Sequence, residues 1–218
     1  KTQLLPRVND ALPGRLEVGS VDALGLGGVR LRDVAIRGPE GRVVIAARAL
    51  EGELAPLALL RGTLRFERVD VFAPRVRLDT VDGELRLTRA FVEPGAEDGE
   101  GGGSPLPIVL DTVRVHGGRV LPDPTWQPSV ALHALDLEGQ LRVDDSVRLR
   151  AGLLPGARPR LRDGRGRLAE LEGIDARLDL RAGQASGASV VLASPAGARI
   201  RVLGAWVAPP DSPDPADG

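Results

Sequence analysis

The chain has 218 residues, 42% hydrophobic and 27% charged, with a formal net charge of −1, which supplies apolar material for one large or two small domains and excludes disorder throughout. Gly 28 and Pro 18, with no three-residue period, exclude collagen and long helices alike and point to many short elements. Zero Cys excludes disulfides, zinc–thiolate sites and thiol nucleophiles, and 29 basic against 30 acidic residues leave no net positive field to draw in nucleic acid.

Lys1 is the sole lysine, so the basic set is otherwise arginine. Phe 3, Trp 2 and Tyr 0 make any core aliphatic. No apolar run reaches the ~18 residues of a membrane-spanning helix. A chain that starts at Lys1 without a signal peptide and closes on a Pro/Asp-rich stretch reads as a piece of a longer protein.

One pattern dominates: apolar residues at positions 1, 3, 6 and 8 of an eight-residue window. Leu16, Val18, Val21 and Ala23 form the first copy, and Val29, Leu31, Val34 and Ile36 the second. Between the second and third copies, Pro56 to Arg61 reads as a helix of two turns at most, closed by Gly62. Leu64, Phe66, Val69 and Val71 form the third copy, followed by Val76 and Leu78 alternating with Arg75, Arg77 and Asp79. Glu93 to Pro105 is acidic and Gly-rich and reads as a flexible loop or linker. Beyond it stand Ile108, Leu110, Val113 and Val115, then Val130, Leu132, Leu135 and Leu137.

On a helix, positions 1, 3, 6 and 8 fall on both sides of the wheel, so no amphipathic face results. On a strand each half alternates properly, and one parity shift in the middle keeps a single face apolar if an extra residue is accommodated there. A β-bulge does that; a tight bend between two short strands is the alternative. Charged residues such as Arg30, Arg32, Arg65, Glu67 and Asp70 fill the other face. Turns are expected at Gly38-Pro39-Glu40-Gly41, Asp82-Gly83, Gly117-Gly118, Asp144-Asp145 and Asp163-Gly164.

The reading is an all-β fold: an elongated, curled antiparallel sheet, or β groove, with one short helix; a β-sandwich is the alternative. A first β unit spans 1–92, the linker 93–105, a second β unit 106–208 and a disordered tail 209–218. A long sheet with one apolar face needs a cover, and the sequence has almost no helix to provide one. The apolar positions of the five copies, with Val76 and Leu78, are therefore candidates for lining an aliphatic groove.

No chemistry-bearing motif appears, which points away from an enzyme. Gly25-Leu26-Gly27-Gly28 lacks the third glycine of a dinucleotide loop, since Arg30 stands there. His116 and His133 lack a third metal ligand nearby, and Asp144-Asp145 and Glu170/Glu172 read as turn and strand acids. Neither a metal nor a cofactor is called for. Trp126 and Trp206 read as edge packing, with a membrane-interface or peptide contact as the alternative. The run Arg158, Arg160, Arg162, Arg165 and Arg167 reads as a solvated face, with attraction of lipid phosphates as its alternative.

Three stretches carry a family resemblance: Leu5 to Val18 continuing into Gly28 to Val34 and Gly38 to Gly41; Leu57 to Leu64 running into Val69 to Leu78; and Leu106 to Gly118. Together they resemble the N-terminal region of the AsmA-like and TamB-like (translocation and assembly module) envelope proteins of the repeating β-groove type. The resemblance implies a periplasmic location, tethered to the bacterial inner membrane by an anchor absent from this chain. It also implies phospholipid acyl chains as cargo between inner and outer membranes. As an alternative it implies a scaffold for outer-membrane protein assembly or secretion, acting through strand-edge pairing with a BamA-like β-barrel partner.

Overall fold

The computed structural model describes residues 9, 13–25, 27–81, 84–90, 107–123, 129–144, 146–181 and 186–206. The stretch 93–105, the tail 209–218, the Asp82-Gly83 pair, Leu26, Asp145 and Trp126 lie outside the described residues. The strands are β1 (Arg15–Gly25), β2 (Gly28–Arg37), β3 (Val43–Leu54), β4 (Leu64–Phe72), β5 (Arg75–Leu78), β6 (Thr80–Val81), β7 (Glu84–Leu85) and β8 (Ile108–Pro122). They continue with β9 (Val130–Val143), β10 (Ser146–Leu153), β11 (Arg160–Asp163), β12 (Leu168–Glu170), β13 (Gly173–Arg181), β14 (Ser186–Ala193) and β15 (Arg199–Trp206). Two single-turn helices, α1 (Pro56–Leu59) and α2 (Arg86–Arg89), complete the described elements. The chain is all-β, as its alternation predicts.

One sheet holds 13 strands in the order β1-β2-β3-β4-β8-β9-β10-β13-β14-β15, with β5 between β3 and β8 and the β11–β12 hairpin attached to β9. Among the described strands, only the β6–β7 ribbon stands apart. This is one continuous sheet, not the facing pair of a sandwich. It is also mixed rather than wholly antiparallel: β4 and β5 run parallel to β8. A parallel neighbour requires a long crossover, and residues 79–107 supply it, joining the first and second segments edge to edge.

The parity shifts of the sequence fall inside continuous strands, as bulges in β1, β4, β8 and β9 and as a kink without an extra residue in β2, where Arg32 and Val34 stay in register with Ala49 and Ala47. In β2 the shift falls at Asp33 and in β9 at Ala134, whose φ angles are 50 and 52. In β4 an extra residue lies between Phe66 and Arg68 where Leu54 and Glu53 are paired. In β8 the step from Leu110 to Val113 spans one residue more than the facing step from Leu141 to Gly139.

The first copy differs. Its extra residue is Asp22, between Val21 and Ala23, so Ala23 faces Arg30 and Leu24 takes its place opposite Val29. Gly117-Gly118 is likewise not a turn: β8 runs through it because β5 continues beside it, and Gly117 has φ 66, a left-handed conformation that glycine takes without steric cost.

These irregularities line up. Gly19 lies across from Asp33, Asp33 from Arg48, Arg48 from Ala73 and Ala73 from Gly117, each position bracketed by paired neighbours. A row of kinks shared by adjacent strands creases a sheet and raises its twist.

Full burial is scarce. Val44 and Pro159 are the largest fully buried side chains, and a core cluster of Leu135, Leu171, Ile174 and Leu192 sits among Val120, Leu132, Leu137, Leu153, Leu161 and Val190. Helix α1 covers little, because Leu57 and Leu60 are 72% and 85% exposed.

Candidate functional site

Cross-strand partners point to the same face of a sheet, so the register shows which apolar residues meet. One row runs Val21, Leu31, Leu50, Val71, Val115, Leu137 and Leu153 across seven strands. It carries on to Ile174, next to the Gly152–Asp175 pair, and then to Leu192. Nine strands at ~4.8 Å spacing make this row about 38 Å long.

Parallel to it, Leu16, Ile36, Ile45, Val76, Val120, Leu132 and Leu161 form a second row. A third joins Leu24, Val29, Gly52, Val69, Val113, Gly139, Ala151, Ala176 and Val190, and a fourth Leu54, Phe66, Leu110, Leu141, Leu149 and Leu178. The remaining candidates fall into the same lattice: Val18 opposite Val34, Leu64 opposite Ile108, Leu78 opposite Pro122, Val130 opposite Asp163 and Leu135 opposite Gly118.

Of the twenty-two apolar positions singled out from the sequence, twenty-one thus take places in one lattice; Ala23, displaced by the bulge, faces Arg30 instead. Among these twenty-one Val34, Val69 and Leu135 are buried, Val21 is exposed and the other seventeen are half-buried. In a two-layer core such residues lose nearly all their exposure. Sequence alternation missed Ile45 and Leu50 on β3, where alanines at 46, 47 and 49 dilute the pattern. It also missed Leu149 and Leu153 on β10, although Arg148 and Arg150 on either side of Leu149 carry the same signal.

The opposite face is charged and largely self-neutralised. Arg30 meets Glu51 at 3.0 Å, Arg65 meets Asp111 at 2.7 Å and Arg114 meets Glu138 at 2.7 Å. Each is an exposed pair worth little stability, but together they fix which face is wet. Asp144 accepts hydrogen bonds from Arg142 at 2.6 Å and from the Ser146 hydroxyl at 2.9 Å. Burial alone would raise this carboxyl; the bonds from Ser146 and Arg142, with Arg148 nearby, outweigh it and hold Asp144 down to about 2.

His116 shares a hydrogen bond with Asp70 at 2.7 Å and stacks on Phe72, with ring centroids 4.9 Å apart. Desolvation pushes the Asp70 carboxyl up, and the bonds from His116 and Arg68 overcome it, so the net shift is downward. His133 lies opposite Arg160, away from His116, and among the described residues no group of three His, Cys, Asp or Glu is placed to hold a metal ion. A shallow concavity of about 460 Å³ on this face is lined by Arg30, Arg32, Arg48, Ala49, Glu51 and Phe72.

No helix among the described residues is long and apolar enough to cross a membrane. Comparison with family models, curated proteins and solved structures returns no match.

Proposed function

We propose that the chain is a lipid-handling segment whose aliphatic face shelters phospholipid acyl chains. One observation carries the reading: an in-register aliphatic row stays half-exposed from Leu31 through Leu50, Val71, Val115 and Leu137 to Leu153, across six strands, before it enters the core at Ile174 and Leu192. Each methylene that leaves water for such a surface contributes ~0.8 kcal/mol, while a headgroup stays in solvent at the rim. Transport of this kind needs no catalytic side chain. In the setting suggested by the sequence resemblance, the segment works in the periplasm, tethered to the inner membrane, as one section of a conduit toward the outer membrane.

A second reading rests on a different observation. Among the described residues β1 pairs only with β2, and beyond Leu16, whose amide and carbonyl are bonded by the Asn9 side chain, it offers a ladder edge on which a partner strand, such as one from an outer-membrane β-barrel protein, can pair.

A solvatochromic fatty-acid probe separates the two. The acyl-chain reading expects saturable blue-shifted binding, displaced by phospholipid and lost in a Leu31→Asp/Val71→Asp variant. The edge reading expects no probe binding and a partner interaction abolished by a proline on the outer edge of β1.

A further inference from the structure

The charged face is not neutralised everywhere. Arg142 and Arg148 share Asp144, and Arg177 meets Asp175 at 3.3 Å. At the end of the sheet formed by β5, β11 and the last residues of β8 the pattern fails. Arg75 and Arg77 on β5, Arg119 on β8, and Arg160 and Arg162 on β11 are exposed, and none of the five has an ion-pair partner among the described residues.

Register gathers them. Arg75 lies directly opposite Arg119, and Arg160 lies opposite His133 on β9, the strand between β8 and β11. Like charges facing each other across strands are destabilising, so the cluster opposes folding rather than assisting it.

The acids around it are occupied or peripheral. Asp79 meets Arg86 at 3.3 Å, Asp123 is buried and accepts from the Thr80 amide at 3.2 Å, and Asp163 is held by Arg167 at 2.6 Å. Glu170 faces Arg160 from the hairpin's outer strand. Two leucines interleave with the arginines: Leu121 opposite Arg77, and Leu168, 61% exposed, opposite Arg162.

We infer that this arginine patch seats the chain on an anionic membrane surface, the guanidiniums meeting lipid phosphates while Leu168 enters the interfacial layer. Basic residues beside an exposed apolar one are what such a surface recognises. A single-stranded nucleic acid would instead need aromatic platforms, and among the described residues of β5, β11, β12 and the last residues of β8 there is no Phe, Tyr or Trp. The inference goes beyond the acyl-chain reading, because it uses the opposite face and different residues.

The test is co-sedimentation of the 218-residue chain with phosphatidylcholine vesicles with and without phosphatidylglycerol, at about 0.1 M and about 1 M salt. Binding is expected only with phosphatidylglycerol, and is weakened at high salt. Arg75→Glu/Arg119→Glu should lower the partition coefficient on the order of 100-fold, with Arg75→Gln/Arg119→Gln giving a smaller loss in the same direction should the reversal fail to fold. Arg150→Glu/Arg177→Glu makes the same charge change at another facing arginine pair and should leave binding within about threefold of the parent.

Equal binding to pure phosphatidylcholine, equal loss in the Arg150/Arg177 variant, or capture of a short single-stranded DNA in place of vesicles overturns the inference. Loss of docking with fatty-acid probe binding intact is the result expected if the two faces act separately. Probe binding without any vesicle docking by the parent chain overturns this inference and leaves the acyl-chain reading standing.

Discussion

Ala73 and Gly117 lie across from each other where β4 gives way to β5 beside β8, and both have left-handed backbones, with φ of 50 and 66. The Ala73 amide donates to the His116 carbonyl at 2.7 Å and the Arg119 amide to the Pro74 carbonyl at 2.8 Å, so the parallel ladder stays closed across the kink. The crease is therefore built into the joint between the two halves of the chain.

A left-handed residue with a Cβ is strained by ~1–2 kcal/mol. Ala73→Gly is expected to raise stability by about 0.5–1 kcal/mol, and Gly117→Val to lower it by about 2 kcal/mol or more. Urea denaturation of the two variants checks both signs.

Close approach of backbones sets a second prediction. A Cβ on Gly139 would stand 2.2 Å from the Arg150 carbonyl oxygen and 3.0 Å from the Ala151 Cα, so Gly139→Ala should cost roughly 1–3 kcal/mol by forcing β9 and β10 apart. At Gly152 the nearest atom would be 3.6 Å away, and the same substitution should stay within about 0.5 kcal/mol of the parent. Thermal unfolding of the pair reads the difference.

The uneven burial of the aliphatic face predicts uneven costs of truncation. Leu135 is 4% exposed within the core cluster, and Leu135→Ala should cost about 3 kcal/mol. Half-buried Leu110 has already kept much of its contact with water, so Leu110→Ala should cost less than about 1.5 kcal/mol. Equal, large losses at both sites would mean that the face is closed.

Asp144 carries a pH dependence of known sign. Its folded-state value near 2 lies below the ordinary 3.8, so the carboxylate's hydrogen bonds stabilise the fold fully above about pH 4 and are lost as pH falls toward 2. Asp144→Asn should flatten the stability–pH curve in that window and leave a loss of about 1–2 kcal/mol at neutral pH, measured by denaturation at stepped pH.

Much of the fold was legible in the sequence because the 1, 3, 6, 8 spacing encodes a strand together with the irregularity inside it, a bulge in four copies and a kink at Asp33 in the other. In two copies the parity shift falls on a residue with a left-handed backbone, Asp33 and Ala134. The parallel β4–β8 joint was not legible, since alternation gives a strand its face but not its neighbour or direction. The arginine patch was half legible: Arg160 and Arg162 are close in sequence, but only the joint brings Arg75 and Arg119 to their end of the sheet. Gly117 misled for a physical reason, since a glycine of positive φ serves a bulge as readily as a turn.

The central claim, an aliphatic face open to acyl chains, is tested most directly by native mass spectrometry of the chain purified in mild detergent and then transferred to none, with lipid extraction of the same sample. The account predicts bound phospholipid in fixed stoichiometry, absent from a Leu31→Asp/Val71→Asp variant whose circular dichroism matches the parent. A monodisperse, lipid-free parent chain, or a folded variant that keeps its lipid, would contradict it.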